Sequence, residues 1–218
     1  MTDKALLHYL EGFISEERRQ RFLQVLQART RYLTVAMEDV FQLHNASAVL
    51  RSCEVFGIQD LHLIEARFSR RVDRKIAMGA QQWVDVHRYW NATQCLKALR
   101  KQGYRIIATT PSSDACPLEE FKLRQPAAIF FGTEKEGLSE EVMHAADSHL
   151  HISMAGFTES LNISVSAAII LYKLTSGLRD SDLRWQLSEA EILEKQLDWT
   201  KKSIKSVDNI LQRYQRSD

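Results

Sequence analysis

The chain contains few of the residues and patterns that mark several large classes of protein. It has only three cysteines among 218 residues, and no two of them form a Cys-x-x-Cys pair. This usage predicts no disulfide framework and favours a reducing, cytoplasmic compartment. The longest apolar runs, residues 127–131 and 167–171, are far shorter than a membrane span. The N-terminal residues lack the apolar core of a secretory signal, so we expect a soluble intracellular protein with no membrane partner.

The chain also lacks a large excess of charge of either sign. Lys and Arg together number 29 and Asp and Glu together number 28, so the net charge is +1. That balance excludes a polycation that coats nucleic acid through bulk charge, but it leaves room for local basic patches. The seven histidines form no HxxxH or HExxH pair, and the GxSxG, P-loop and GxGxxG motifs are absent from the sequence. We therefore expect no metal site and none of the usual hydrolase, phosphate-loop or Rossmann sites.

Short apolar runs alternate with amphipathic segments along most of the chain. Predicted strands cover about residues 32–37, 61–64, 104–109, 127–131 and 150–154, and predicted helices cover about residues 45–56, 92–101 and 161–174, with a further helix after Ser139. We expect Gly57, Gly103 and Gly177 to end the three longer helices. This alternation is typical of an α/β fold with a parallel sheet and crossover helices. Only the ends differ, because residues 4–27 predict one or two helices and residues 187–216 predict one long charged helix.

Three polar segments have compositions that are unusual for purely structural residues. They are residues 45–51 (NASAVLR), 132–139 (GTEKEGLS) and 152–164 (ISMAGFTESLNIS). In the first, Ser47 and Arg51 share a helix face, although a plain surface ion pair between Arg51 and Glu54 would also explain the arginine. The second is either a ligand-binding loop, whose glycines let a ligand approach the backbone, or a tight strand-to-helix turn. In the third, helix capping by Ser160 would explain only one of several small polar residues.

Taken together and in this order, the three segments resemble the SPOUT superfamily of S-adenosyl-L-methionine-dependent RNA methyltransferases, specifically the TrmH-type tRNA/rRNA 2′-O-methyltransferases. The resemblance covers about residues 32–175. It implies a SPOUT domain over residues 32–178, with a deep trefoil knot in its C-terminal part, between helical extensions at residues 1–31 and 179–218. It also implies a homodimer whose active site is completed across the interface, and no metal.

The resemblance implies roles for particular residues. Arg51 would act on the ribose 2′-hydroxyl, and Asn45, Glu134, Ser160 and Asn162 would orient Arg51, the ribose and the methyl donor. Either Arg51 loses a proton and acts as the base, or it positions the hydroxyl while an RNA phosphate or water takes the proton. The residues expected to bind S-adenosyl-L-methionine are Thr109, Gly132, Thr133, Ile152, Met154 and Leu161. The chain departs from the family at Ser153, where proline is common, so the geometry of that turn is left open.

The short helical extensions resemble those of the tRNA members of the family, which methylate guanosine(18) in the D-loop. The basic residues expected to contact tRNA phosphates are Arg18, Arg21, Arg29, Arg67, Arg70, Arg71, Arg74, Lys75 and Arg179. Two alternatives remain open. In the first alternative, the substrate is ribosomal RNA instead of tRNA. In the second, the chain is a knotted RNA-binding protein that does not catalyse methyl transfer.

Overall fold

A computed structural model of the chain describes residues 3–39, 43–65 and 79–216. The chain divides into two compact units, of which one comprises residues 30–185 and the other comprises residues 1–29 and 186–218. In chain order, the helices of the described residues are α1 (Asp3–Glu11), α2 (Glu16–Gln27), α3 (Leu43–Phe56), α4 (Ala92–Lys101), α5 (Glu140–Ala145), α6 (Ile163–Arg179), α7 (Glu189–Ser203) and α8 (Val207–Arg216), with a short 3-10 helix at Ala80–Gln82.

A seven-stranded parallel sheet forms the centre of the larger unit. Its strands are β1 (Leu33–Glu38), β2 (Asp60–Ile64), β3 (Asp85–Tyr89), β4 (Arg105–Thr109), β5 (Cys116–Pro117), β6 (Ala127–Phe131) and β7 (Ser148–His151), and they lie in the order β3-β2-β1-β6-β4-β7-β5. Every residue of β1, β2 and β6 is buried, as expected where helices cover both faces of a parallel sheet. The α/β fold with a parallel sheet that the sequence predicts is confirmed.

Helices pack on both faces of this sheet. The apolar sides of α3 and α6 form one core with Val35, Ile129 and their neighbours on one face. The apolar sides of α4 and α5 form a second core on the opposite face, around Ile106 and Phe130. Successive residues of β6 therefore point into different cores, which is the usual alternation along a strand.

Two strands were not predicted from the sequence, and both lie at the edges of the sheet. β3 contains Asp85, His87 and Arg88, and no residue of it is fully buried, so it lacks the apolar run that marks the central strands. β5 has only two residues, one of which is proline. Both strands are defined by pairing with a neighbour, β3 with β2 and β5 with β7, rather than by their own composition.

The predicted bounds of α6 and β7 need correction. α6 begins at Ile163 with Asn162 as its N-cap, and it continues through Gly177 to Arg179. Gly177 does not end the helix, because buried Leu174 and Leu178 continue the apolar side of α6 past it. β7 occupies Ser148–His151 rather than residues 150–154, so most of the third polar segment is loop.

The smaller unit contains α1, α2, α7 and α8. The predicted single helix over residues 187–216 is wrong, because α7 ends at Ser203 and α8 begins at Val207. Between them Ile204 is extended and Ser206 has a φ of 54°, in the left-handed region. This turn allows residues of both helices to pack against one apolar cluster with Leu10 of α1. α7 itself begins with a capping box formed by Ser188 and Glu191.

A cluster of titratable side chains lies between β2 and β3. His62 is only 2% exposed, and its Nδ1 lies 3.1 Å from the hydroxyl of Tyr89. The ring of His62 stacks on that of His87, with centroids 4.8 Å apart, and His87 Nε2 lies 2.7 Å from Asp60 Oδ1. Burial and, to a smaller extent, the neighbouring His87 lower the pKa of His62 to about 4. The hydrogen bond to Asp60 raises the pKa of His87.

We expect this cluster to make the stability of the fold depend on pH. Because the pKa of His62 is lower in the folded state, the unfolded chain binds a proton first as the pH falls. The contribution of His62 to stability is complete above its ordinary pKa of 6.5 and is lost as the pH falls towards 4. The full loss is about 3 kcal/mol, at about 1.4 kcal/mol per unit of pKa.

Urea unfolding of wild type and His62→Leu at about pH 7 and about pH 5 measures this loss. The free energy of unfolding should fall by about 2 kcal/mol less in the variant over this interval, because the variant lacks the titrating ring. The raised pKa of His87 has the opposite effect, because it makes the folded state more stable as the pH falls, and it is present in both proteins. The difference between their two pH dependences therefore reports on His62. Equal pH dependences would contradict the assignment.

Candidate active site at the carboxyl ends of the strands

The carboxyl ends of β4, β6 and β7 border a cavity of about 520 Å³. Thr109 ends β4, Gly132 follows β6 and Ile152 follows β7, so three parallel strands deliver their ends to one place. This volume is in the range of small-molecule sites, and the position is the usual one for ligands of parallel α/β sheets. The cavity is lined by all six residues predicted to bind the methyl donor: Thr109, Gly132, Thr133, Ile152, Met154 and Leu161.

The loop after β6 is closed by its own backbone. Thr133 N–H donates to the carbonyl of Gly137 at 2.9 Å, and Gly137 N–H donates to the carbonyl of Thr133 at 3.1 Å. A Cβ atom on Gly132 would lie 2.1 Å from the carbonyl carbon of Gly137, and Gly137 itself has a φ of 70°. Both glycines are therefore required by the closure of the loop, which is the tight-turn alternative that the sequence left open beside close approach of a ligand.

Replacing Gly132 by alanine should open this loop. The added methyl group cannot occupy a position 2.1 Å from a backbone atom, so the Thr133–Gly137 pairing must break. We expect affinity for S-adenosyl-L-methionine to fall by at least about tenfold, measured by calorimetry, together with a loss of stability of about 2 kcal/mol. Gly177→Ala is the matched control, because a Cβ at Gly177 has nothing within 4 Å and lies within α6. Unchanged donor affinity in Gly132→Ala would contradict the role of the loop closure.

β1 holds both ends of this loop. Met37 pairs with Phe131 in the sheet, at the start of the loop. The buried carboxylate of Glu38 accepts hydrogen bonds from the backbone N–H of Ser139, at 2.8 Å, and from its hydroxyl, at 2.7 Å. Ser139 is also the N-cap of α5. The sequence alone did not point to Glu38, because its role depends on Ser139, which lies 101 residues later in the chain.

Three predicted site residues form one hydrogen-bonded network beside the cavity. Glu134 Oε1 accepts from Asn45 Nδ2 at 3.1 Å and from Asn162 Nδ2 at 2.7 Å. Asn162 Nδ2 also lies 3.3 Å from Asn45 Oδ1. Asn45 is buried on α3, Glu134 projects from the loop after β6, and Asn162 precedes α6. The network therefore joins the three polar segments that were singled out in the sequence.

The cap of α6 sets the orientation of Asn162. Its Oδ1 accepts from the backbone N–H of Ser164 at 2.9 Å and from the Ser164 hydroxyl at 2.5 Å. Since the oxygen is used in this way, the Nδ2 group is directed to Glu134 and Asn45. Ser160 is not the cap, contrary to the simpler interpretation of the sequence, and it lines the cavity instead.

Arg51 remains available to a substrate. It is exposed on α3, one turn after the buried Ser47. In the part of the chain that the structure describes, its side chain forms no hydrogen bond or ion pair, so the surface pair with Glu54 that the spacing allowed is not formed. An exposed guanidinium can donate up to five hydrogen bonds to phosphate or ribose oxygens.

The residues predicted to bind RNA differ in their surroundings. Arg18 and Arg21 are exposed on α2. Arg179 is exposed at the end of α6, and its guanidinium donates to the carbonyl of Phe56 at 2.8 Å. Arg29 is only 1% exposed, and its guanidinium carbon lies 5.4 Å from the ring centre of Trp199. Because the side chain is buried, the prediction that Arg29 contacts RNA is wrong. Arg67, Arg70, Arg71, Arg74 and Lys75 lie outside the described residues.

The described residues contain neither a metal-binding cluster nor a membrane-spanning helix. Across residues 3–39, 43–65 and 79–216, no three His, Cys, Asp or Glu side chains are grouped so that they could hold a metal ion. Over the same ranges, no helix combines the length and apolar character that crossing a bilayer requires.

Known proteins resemble this chain in sequence and in fold. Residues 32–172 match the SpoU rRNA Methylase family. The chain is 40% identical to the tRNA (guanosine(18)-2′-O)-methyltransferase of Borreliella burgdorferi over 197 residues, which is 90% of each chain. The crystal structure of the A. aeolicus TrmH/SpoU tRNA modifying enzyme superposes with a TM-score of 0.78 at 31% identity, over 87% of this chain and 98% of that one.

A more distant structure shows the same fold with a ligand. The SpoU methyltransferase AviRb from Streptomyces viridochromogenes, in complex with the cofactor AdoMet, superposes with a TM-score of 0.64 at 20% identity, over 73% of this chain and 65% of that one. The family match and the first two relatives confirm the predicted resemblance to TrmH-type methyltransferases of the SPOUT superfamily. The chain belongs to the SpoU rRNA methylase family.

Proposed function

We propose that this protein transfers a methyl group from S-adenosyl-L-methionine to the ribose 2′-hydroxyl of guanosine(18) in the D-loop of tRNA. The observation that carries this proposal is the similarity over nearly the whole chain, rather than over the SPOUT domain alone, to a relative named for that activity. Because the match covers 90% of each chain, it extends beyond the residues that match the family. A tRNA substrate would also place the protein in the cytoplasm.

The cavity suits S-adenosyl-L-methionine in size and in charge. Its walls combine apolar side chains such as Ile152 and Leu138 with the backbone of the loop after β6. Glu134, Glu136 and Glu159 also line it, opposed by one lysine, so the lining carries an excess of negative charge that would favour a cationic sulfonium. When bound, this donor supplies a methyl group that is already activated for transfer. The AdoMet complex of AviRb supports this choice of donor.

The residues around the cavity would position the reacting hydroxyl. The network of Asn45, Glu134 and Asn162 holds α3, the cavity loop and the start of α6 in one arrangement. Arg51 would donate hydrogen bonds to the ribose 2′-oxygen and an adjacent phosphate, and the hydroxyl proton would pass to a phosphate oxygen or water. The new O–C bond forms in line with the breaking S–C bond, so fixed geometry supplies much of the rate.

We also propose a homodimer. Val165, Ile169 and Tyr172 are exposed apolar residues at helical spacing on α6, and Tyr172 is 63% exposed. Val55 on α3 is likewise exposed, and α3 packs directly against α6. Exposed apolar residues at this spacing are typical of a protein interface, and Ser166 and Ile170 of the same helix line the cavity. The interface would place a second copy of the chain next to the active site.

The knot and the domain limits remain part of the proposal. β7 lies between β4 and β5, two strands that the chain joins directly through residues 110–115. A strand inserted between two strands that are already connected supports the predicted threading of the C-terminal part of the domain. We propose residues 32–178 as the SPOUT domain, with residues 1–31 and 179–218 as helical extensions. Within the first extension, Arg18 and Arg21 would contact tRNA.

Ribosomal RNA is the second candidate substrate. The family that matches residues 32–172 is described as an rRNA methylase family, which favours it. A non-catalytic RNA-binding protein is less well supported, because the network is assembled and Arg51 is exposed on the same helix as Asn45.

The proposal is tested by incubating the protein with labelled donor and either unmodified tRNA or rRNA fragments, and mapping 2′-O-methyl groups by mass spectrometry. We expect label at guanosine(18) of tRNA, and none in a matched tRNA that carries 2′-deoxyguanosine at that position. Label in rRNA alone would mean that rRNA, and not tRNA, is the substrate. Donor binding by calorimetry without label in either RNA would support the non-catalytic alternative.

A further inference from the structure

We propose that the imidazole of His151 hydrogen-bonds the carboxylate of the bound methyl donor. The inference rests on the proposed function and deepens it, because it assigns one end of the donor to one wall of the cavity. His151 is the last residue of β7, and it lines the cavity. The third polar segment begins only at the next residue, so the resemblance gave no role to His151.

The side chain of His151 projects towards α5. Side chains alternate along a strand, and Leu150 packs into the core that α3 and α6 share, so His149 and His151 project from the opposite face. On that face, Nε2 of His149 donates to the carbonyl of Met143 at 3.2 Å. Met143 belongs to α5 and also lines the cavity. His151 is therefore part of the wall that lies next to α5.

One ring nitrogen of His151 remains open to a ligand. Nδ1 is fully buried and has no hydrogen-bond partner in the part of the chain that the structure describes. Nε2 also has no partner among these residues, but it is not enclosed in the same way, and the residue as a whole is only half-buried. A proton on Nδ1 would be a buried donor without an acceptor, whereas a proton on Nε2 can be donated to a ligand. The ring therefore offers a hydrogen-bond donor at Nε2.

The charges around the cavity favour the carboxylate of the donor as the acceptor. Three carboxylates line the cavity, Glu134 and Glu136 in the loop after β6 and Glu159 in the third polar segment. They attract the sulfonium and ammonium groups of S-adenosyl-L-methionine and repel its carboxylate. Lys135 is exposed between two of these glutamates, which offset its charge. In the described lining α5 contributes no carboxylate, so the negative end of the donor is favoured beside His151, where an N–H group meets a charged acceptor.

The test is calorimetric titration of wild type and His151→Phe with two ligands. S-adenosyl-L-homocysteine contains the carboxylate, whereas 5′-methylthioadenosine has the same thioether nucleoside without the amino-acid portion. Phenylalanine keeps an aromatic ring in the wall but removes both ring nitrogens. We expect His151→Phe to bind S-adenosyl-L-homocysteine roughly tenfold more weakly, because a hydrogen bond to a charged group is lost. Its affinity for 5′-methylthioadenosine should remain within about twofold of wild type.

Two further variants serve as controls. His151→Gln retains an N–H donor, so its affinity for S-adenosyl-L-homocysteine should remain within about threefold of wild type. His149→Gln is the matched control on the same face of β7. Its amide can still donate to the carbonyl of Met143, and His149 does not line the cavity. This variant should bind both ligands as wild type does.

Two results in His151→Phe would overturn the proposal. Unchanged affinity for S-adenosyl-L-homocysteine would remove the contact. Equal weakening of both ligands would mean that His151 shapes the cavity and does not hold the carboxylate. If wild type binds neither ligand and methylates no RNA, the proposed function itself fails. If wild type methylates tRNA while His151→Phe binds both ligands normally, only the inference about His151 fails.

Discussion

Arg51→Ala is expected to slow methyl transfer by roughly 10²- to 10³-fold while the affinity for S-adenosyl-L-methionine is unchanged. The reason is the position of Arg51, which is exposed on α3 and hydrogen-bonds to nothing in the described residues, so its guanidinium is available to the substrate oxygens. The measurement is a single-turnover rate with tRNA and donor both saturating, together with calorimetric titration of the donor alone.

Two further variants separate charge from geometry at Arg51. Arg51→Lys retains the charge but loses the planar set of donors, so we expect it to recover only a small part of the rate. Lys97→Ala removes an exposed cation from α4, on the other face of the sheet, and should behave as wild type. Full activity of Arg51→Ala would refute the proposed role. A loss of donor affinity in that variant would assign Arg51 to the donor cavity instead.

Asn45→Asp should disrupt the network that joins the three polar segments. The substitution preserves the shape of the side chain but replaces the Nδ2 donor with an oxygen, which would face Glu134 Oε1 at about the present 3.1 Å. Because Asn45 is buried, a carboxylate at that position would be desolvated as well as repelled by the exposed Glu134. We expect a loss of about 2 kcal/mol in the free energy of unfolding and a fall of about 10²-fold in the transfer rate.

The double variant Asn45→Asp with Glu134→Gln provides the control. The glutamine amide can donate to the new carboxylate, while its oxygen still accepts from Asn162. Stability and rate should therefore recover in part, and the double-mutant cycle should show a coupling of about 1 kcal/mol or more. Strictly additive effects would mean that Asn45 and Glu134 do not act on each other, and that the network does not support catalysis.

The central strands and the polar segments could be predicted because their signals are local. β1 and β6 are continuous apolar runs, and the structure places them within one residue of the predicted bounds. Asn91 and Ser139 are N-caps that can be inferred from the residues next to them. Within such segments, side-chain chemistry and backbone preference agree, so little depends on distant parts of the chain.

Other features had no local signal. The polar strand β3 exists because β2 offers it hydrogen-bond partners, and its own residues would suit a loop equally well. The break between α7 and α8 follows from the apolar cluster that both helices share with α1, more than 190 residues earlier in the chain. Glu38 could be recognised as an anchor only after Ser139, 101 residues away, was seen to donate to it.

The parallel α/β architecture and the three segments that identify the family can be inferred from neighbouring residues alone, because periodicity, caps and short motifs are local properties. Which of those residues meet depends on how the whole chain folds. Asn45 and Asn162 are 117 positions apart, and they share Glu134 because the ends of parallel strands converge on one edge. The folded chain also separates two arginines that look alike in the sequence, since Arg29 lies buried over Trp199 while Arg51 is exposed on α3. Burial depends on which surfaces pack together, and residue type alone does not specify that.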